Sequence, residues 1–251
     1  MERKTIQTTS ASLHFMAMLF MLCDHVWGIL LTGNDWLTAI GRLAFPIYAF
    51  LIVEGYFHTK SLKRYMTRLL VFALISEIPF NLAIGGSLIS PLYQNVLFTF
   101  LIALSLIWIN EQARKKGKIW LSVLTGIGTT LLGMLLGLVT FVDYHHAGIL
   151  TVLVFYFFRG RKWYHYLLQF VCLAYINLEM LGGLSYVIEL FGREVWIPQQ
   201  GFALLALIPI FLYRGKQGIH SRLLQYSRYA FYPGHLLLLW GIHTLMVFCL
   251  N

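Results

Sequence analysis

The chain has 251 residues, of which 59% are hydrophobic and 12% charged, with a net charge of +9 and a mean hydropathy of +0.71. A soluble domain carries about 25% charged residues, so the composition excludes an ordinary water-soluble fold, and no long polar stretch is left over for a separate soluble domain. Residues 1–251 read as a single integral membrane domain embedded in a lipid bilayer.

Apolar runs near 11–31, 39–57, 65–84, 92–110, 119–141, 146–158, 164–181, 197–213 and 229–250 predict an all-α, polytopic transmembrane helical bundle. That is about nine spans, the sixth of them short. The first run follows Met1-Glu2-Arg3-Lys4 in the manner of a signal peptide. It has no small-residue cleavage site and carries Asp24-His25 in its core, so it reads as a retained span. With the N-terminus inside, all 19 Lys and Arg residues except Arg42 and Arg193 fall on the cytoplasmic side. They sit in the segments holding Arg3 and Lys4, Lys60 to Arg68, Arg114 to Lys118, Arg159 to Lys162, and Arg214 to Arg228. This asymmetry is the positive-inside signature. It makes the basic charge an orientation signal and no nucleic-acid surface. Cys23, Cys172 and Cys249 lie in apolar runs without metal or disulfide spacing, and no metal is expected. Gly133 and Gly137, four apart in the fifth span, suit close helix packing.

An ionisable residue in hydrocarbon costs roughly 2.5–3.5 kcal/mol on insertion scales and usually marks a functional position. Sorted by topology, such residues form two layers. The outer half gathers Asp24, His25, Arg42, Glu77, Asn81, Asn95, Asp143 and His145. Glu77 and Asn81 are four apart and share a helix face. The inner half gathers Glu54, His58, Arg64, Arg68, Tyr232 and His235. The outer layer is either an ion-pair network that holds the bundle together or a site. Arg64 and Arg68, also four apart, either anchor the interface or grip phosphate, a task that suits the guanidinium fork. His14 and His25 are eleven residues apart, so they face the same way about 16 Å apart along the axis. His14 alone reads as an interfacial residue, and the shared face is a path for a long ligand entering from the cytoplasm. Adjacent helix residues project about 100° apart, so Asp24 is poorly placed to orient the His25 ring and is expected to face Arg42. Glu77 or Asp143 is the better candidate to orient His25.

Met21-Leu22-Cys23-Asp24-His25, Ile40-Gly41-Arg42-Leu43-Ala44-Phe45-Pro46 and Val53-Glu54-Gly55-Tyr56-Phe57-His58-Thr59 resemble successive blocks of the TraX family. So do Arg64-Tyr65-Met66-Thr67-Arg68-Leu69, Ser76-Glu77-Ile78-Pro79-Phe80-Asn81 and Asn95-Val96-Leu97-Phe98-Thr99. Asp143-Tyr144 with Gly148, and Phe231-Tyr232-Pro233-Gly234-His235-Leu236, complete the series in order along nearly the whole chain. TraX is associated with N-terminal acetylation of pilin, and its family is similar to multi-pass bacterial acyltransferases that use cytoplasmic acyl-coenzyme A. The resemblance implies that His25 is the catalytic base and that Arg64 and Arg68 are the basic pair.

The expected protein is a membrane-embedded, acetyl-CoA-dependent acyltransferase of the bacterial plasma (inner) membrane. It would pass an acetyl group from acetyl-CoA, a co-substrate, to a pilin or peptide amine, a glycan hydroxyl or a small amine. The expected catalytic residues are His25, Asp24, Glu77 and Asp143. Arg42, Glu54, Arg64, Arg68, Asn81, Asn95, Tyr232 and His235 are the expected acyl-CoA and substrate contacts. Asn81, Asn95 or Arg42 would polarise the thioester carbonyl. Two alternatives are a proton-coupled small-molecule transporter, which also lines its path with Asp, Glu and His, and a non-enzymatic assembly factor for a pilus or other surface appendage.

Overall fold

A computed structural model describes residues 7–219 and 221–250. Arg3 and Lys4, counted above toward the N-inside orientation, lie outside the described residues. The chain is mostly helical and packs as two compact units, the first pairing Met1–Leu51 with Asn177–Asn251 and the second Ile52–Ile176.

The first unit holds α1 (Ser10–Ile29), α2 (Asp35–Gly41), the first half of α3 (Ala44–His58), a hairpin of β1 (Ser185–Leu190) and β2 (Arg193–Pro198), a 3-10 turn (Gln199–Ala206), α9 (Leu207–Phe211) and α10 (Arg222–Leu250). Thr9 caps α1 reciprocally: its hydroxyl accepts from Ser12 N at 3.1 Å and its own N–H donates to Ser12 Oγ at 2.8 Å. That satisfies two of the amides a helix start leaves open. α1 packs on α2 and α10, and α2 also packs on the 3-10 turn. Leu13, Ala17, Ile47, Ala206 and Leu236 are fully buried there.

The second unit holds the end of α3, then α4 (Leu62–Gly85), α5 (Val96–Lys115), α6 (Ile119–Val139), α7 (His145–Phe157) and α8 (Trp163–Tyr175). α5 is central and packs on α4, α6 and α7. Asn95 caps α5 through its side-chain oxygen, which accepts from Leu97 N at 3.1 Å. α4 ends at Gly86, whose φ of +63° is the left-handed stop that glycine adopts without strain. The Gly133 and Gly137 pair does what its spacing implies: a Cβ at 137 would lie 2.5 Å from the His146 backbone, and one at 133 would lie 2.9 Å from Ile149 Cγ2. Trp120, Val123, Leu124, Ile127, Leu131, Leu135 and Leu138 of α6 recur at helical spacing and are exposed, the arrangement of a face turned to lipid.

Six helices among the described residues are long and apolar enough to cross a membrane: Ser10–Ile29, Asp35–His58 (α2 and α3 together), Leu62–Gly85, Val96–Lys115, Ile119–Val139 and Arg222–Cys249. The other three expected spans fall on shorter elements. Run 146–158 falls on α7 and run 197–213 on the apolar stretch Gln199–Phe211. Run 164–181 falls on α8 and a five-residue π-turn, Ile176–Met180. A 13-residue helix rises about 20 Å, less than the roughly 30 Å hydrocarbon thickness.

The all-α expectation needs one correction. Residues 185–198 form a two-stranded antiparallel hairpin in which Ser185 faces Pro198 and Leu190 faces Arg193. Val187, Val195, Trp196 and Ile197 are residues of high strand propensity. Phe191 and Gly192 take φ of +52° and +73°, the double positive φ that closes a two-residue hairpin loop.

Candidate functional site

In the first unit, position 41 must be glycine for α2 to press against α1, since a Cβ there would lie 2.8 Å from Asp24 Cα. Thr38 and Arg42 are four apart and share one face of α2, so both reach the Asp24 carboxylate. Thr38 Oγ1 donates to Asp24 Oδ1 at 2.7 Å and accepts from Arg42 Nη2 at 2.7 Å. Arg42 Nη2 lies 3.2 Å from Asp24 Oδ1. The expected pairing of Asp24 with Arg42 is thus present, with a threonine joining both members. Such a half-buried, hydrogen-bonded pair lowers the cost of holding each charge in an apolar surrounding.

The next residue, His25, is half-buried and turns toward α10. Its Nδ1 lies 2.6 Å from Nε2 of His235. His235 is buried, and its Nδ1 lies 2.6 Å from the Phe231 carbonyl one turn back on its own helix. Tyr232, also buried, sits 6.3 Å from the His25 ring centroid. The histidine that was expected among the substrate contacts is therefore the partner of His25 Nδ1, in the place where Glu77 or Asp143 was expected.

The two carboxylates are engaged within the second unit. Glu77 Oε2 accepts from the Asn95 side-chain amide, whose other hydrogen goes to Ala73 O at 2.9 Å. Both Nδ2 hydrogens of Asn95 are thereby committed, which makes it a cap and strut rather than a donor for a thioester carbonyl. Asp143 Oδ1 accepts from Tyr93 Oη at 2.9 Å and from Tyr144 N at 3.0 Å. Its backbone N–H donates to Gln94 O at 2.9 Å, so the loops preceding α5 and α7 run side by side. Phe141, Tyr144 and His145 all take positive φ in that loop, a run of left-handed residues that the surrounding contacts must hold.

Elsewhere in the second unit, buried Glu54 pairs with Arg159, Nε to Oε1 at 2.7 Å, and the guanidinium lies 4.3 Å above the Phe57 ring. His58 Nδ1 donates to the Glu54 carbonyl at 2.8 Å. The Arg64 side chain is exposed at the start of α4. Arg68 is only half-buried, but its Nε is buried without a hydrogen-bond partner among the described residues. The same holds for Ser76 Oγ, Glu77 Oε1, Asn81 Oδ1 and His146 Nδ1. All but the last belong to α4. Buried polar groups nearly always find partners, so α4 presents donors and acceptors that the rest of the unit leaves open. No group of three His, Cys, Asp or Glu side chains among the described residues is placed to hold a metal ion.

Apolar helices of spanning length with charged and hydrogen-bonded groups set among them define a multi-pass helical membrane protein. The chain matches the family model described as TraX protein over residues 9–243, and it belongs to the TraX family. It is similar, at 27% identity over 256 residues, to a Dichelobacter nodosus protein called "Probable fimbrial assembly protein FimC, serogroup H1". The alignment covers 94% of this chain and 96% of that protein. No solved structure matches.

Three members of these clusters escaped the sequence reading. Thr38 carried a usable signal, because it precedes Arg42 by one helical turn on a face that also had to meet Asp24. Arg159 was absorbed into a basic loop that served as an orientation marker. Tyr93 lay in a polar turn where nothing distinguished it from its neighbours.

Proposed function

We propose that this TraX-family chain is an acyltransferase of the bacterial inner membrane with about nine spans and its N-terminus inside. It would move an acetyl group from cytoplasmic acetyl-CoA to an amine or hydroxyl at or beyond the membrane. The observation that carries the reading is His25: a ring in the first span whose Nδ1 is tethered to His235, with no hydrogen bond to its Nε2 among the described residues. A histidine held by one nitrogen and open at the other is the arrangement a general base needs. His25 Nε2 takes the proton of the acceptor as the acceptor attacks the thioester carbonyl. The tetrahedral intermediate then expels the coenzyme A thiolate, which recovers the proton. Asp24, Thr38 and Arg42 form a held polar group next to the base, and the Arg42 guanidinium is its proposed source of positive charge toward the developing oxyanion.

In the second unit, Arg64 and Arg68 are the proposed phosphate grip, and the partnerless Arg68 Nε supports that role. Asn81 Oδ1 and Glu77 Oε1 are buried without a hydrogen-bond partner among the described residues and are proposed polar contacts for a ligand of that unit. The relative's name, a fimbrial assembly protein, favours a pilus-related setting. It also favours a second reading, a non-enzymatic assembly factor. Purified protein incubated with labelled acetyl-CoA and fractionated cell envelope separates them. The enzyme reading expects label on an envelope component, and the assembly reading expects none.

A further inference from the structure

His14, His58 and His235 each place Nδ1 on the carbonyl four residues back, at 2.7, 2.8 and 2.6 Å. A carbonyl oxygen only accepts, so each of these rings carries its proton on Nδ1. His25 breaks the pattern and sends Nδ1 across to α10. The contact is directional: the His25 and His235 ring planes differ by 12°, and their centroids are 4.9 Å apart. With the nitrogens at 2.6 Å, that separation leaves little more than the two ring radii. The rings lie edge to edge, nearly coplanar, with the shared proton in the plane of both.

We infer that His235 is the positioning residue of the proposed base, setting the His25 tautomer through a chain that begins at the Phe231 carbonyl. The Phe231 oxygen fixes the His235 proton on Nδ1, so neutral His235 Nε2 is an acceptor. It takes its hydrogen bond from His25 Nδ1–H. Neutral His25 then has its lone pair on Nε2, the nitrogen that must receive the acceptor's proton. When that proton arrives, His25 becomes an imidazolium whose Nδ1–H still donates to His235. The new bond forms between the acceptor atom and the carbonyl carbon, the carbon–sulfur bond breaks, and the thiolate takes the proton from Nε2. His235 does for His25 what a carboxylate does for the histidine of a serine hydrolase, without placing another negative charge in an apolar bundle. The Phe231-Tyr232-Pro233-Gly234-His235 segment is in this respect part of the base.

This inference rests on the acyltransfer reading for its chemistry, but its structural core is measurable without turnover. The experiment is nitrogen NMR of the histidine rings in the full-length protein, labelled at histidine and held in a lipid nanodisc. It is paired with coenzyme A release from acetyl-CoA and melting temperature on the same preparations. The wild type is expected to hold His25 as the Nδ1–H tautomer. His235→Leu should lose that tautomer and lower kcat about 10²-fold or more, with KM for acetyl-CoA changed less than about twofold. His235→Gln, whose side-chain oxygen accepts in place of Nε2, should keep the tautomer and recover much of the rate. A wild-type His25 protonated on Nε2 overturns the inference, as does a His235→Leu protein with an unchanged tautomer and full kcat. A wild type that releases no coenzyme A, yet holds the Nδ1–H tautomer that His235→Leu abolishes, upholds the chain and removes the acyltransfer reading instead.

Discussion

Asp24 and Glu54 are both carboxylates in apolar helices, and each is matched by an arginine: Arg42 on the next helix and Arg159 far along the chain. Among the described residues Arg64 and Arg68 have no such carboxylate, and Arg68 Nε is buried without a partner. An unmatched guanidinium near the end of a spanning helix fits a phosphate better than a structural pair does. Replacing both with Gln should weaken coenzyme A binding at least tenfold in titration calorimetry, while replacing Lys115 and Lys116 should change it less than twofold. Equal losses from the two pairs would reduce the effect to surface charge. The Arg159 pair makes a different forecast. Arg159→Leu leaves buried Glu54 with only the His58 ring beside it, Nδ1 at 3.7 Å from Oε2, and should lower the melting temperature in detergent more than the double variant Glu54→Gln/Arg159→Leu does, because a buried charge without its full cation is costlier than none. A double variant no more stable than the single one would show that Glu54 is solvated by other means.

At the scale of elements, α5 depends on one side chain. Asn95 caps it, bonds Ala73 O and holds Glu77, so Asn95→Ala removes a cap and the side-chain donor to Glu77 Oε2 together, leaving that oxygen only the residue 95 backbone N–H at 3.4 Å. The combined cost should be about 2 kcal/mol or more, read as a clear drop in melting temperature, whereas Gln94→Ala next to it should be near neutral. The long helices were legible from apolar runs because the bilayer demands about 20 such residues. Asp24 facing Arg42 was legible because helix geometry fixes which neighbours diverge. The hairpin was less legible: its strand formers lie in a mixed polar stretch that has neither the length of a span nor clean alternation. The partner of His25 was not legible at all. Choosing among Glu77, Asp143 and His235 requires knowing which helix packs on α1, and apolar periodicity does not encode that choice. α10 packs on α1, and His235 followed from that contact alone.

The whole molecule is a multi-pass membrane protein of the TraX family, and its proposed orientation rests on how its basic residues are distributed. Single cysteines introduced beside Lys63, Lys116, Lys162 and Arg222 should all be shielded from an impermeant thiol reagent applied outside intact cells. Efficient labelling in the 111–118 loop would overturn the N-inside, nine-span arrangement. In the proposed mechanism His25 performs proton transfer and does not merely brace the bundle. The most direct test is transfer of labelled acetyl from acetyl-CoA by wild type and His25→Ala, with melting temperature and coenzyme A affinity measured on the same preparations. The expected outcome is a His25→Ala rate per folded molecule about 10²–10⁴-fold lower, with coenzyme A affinity close to that of the wild type and a modestly lower melting temperature, because buried His235 Nε2 loses its partner. A folded His25→Ala protein that transfers acetyl at the full rate would exclude His25 as the base.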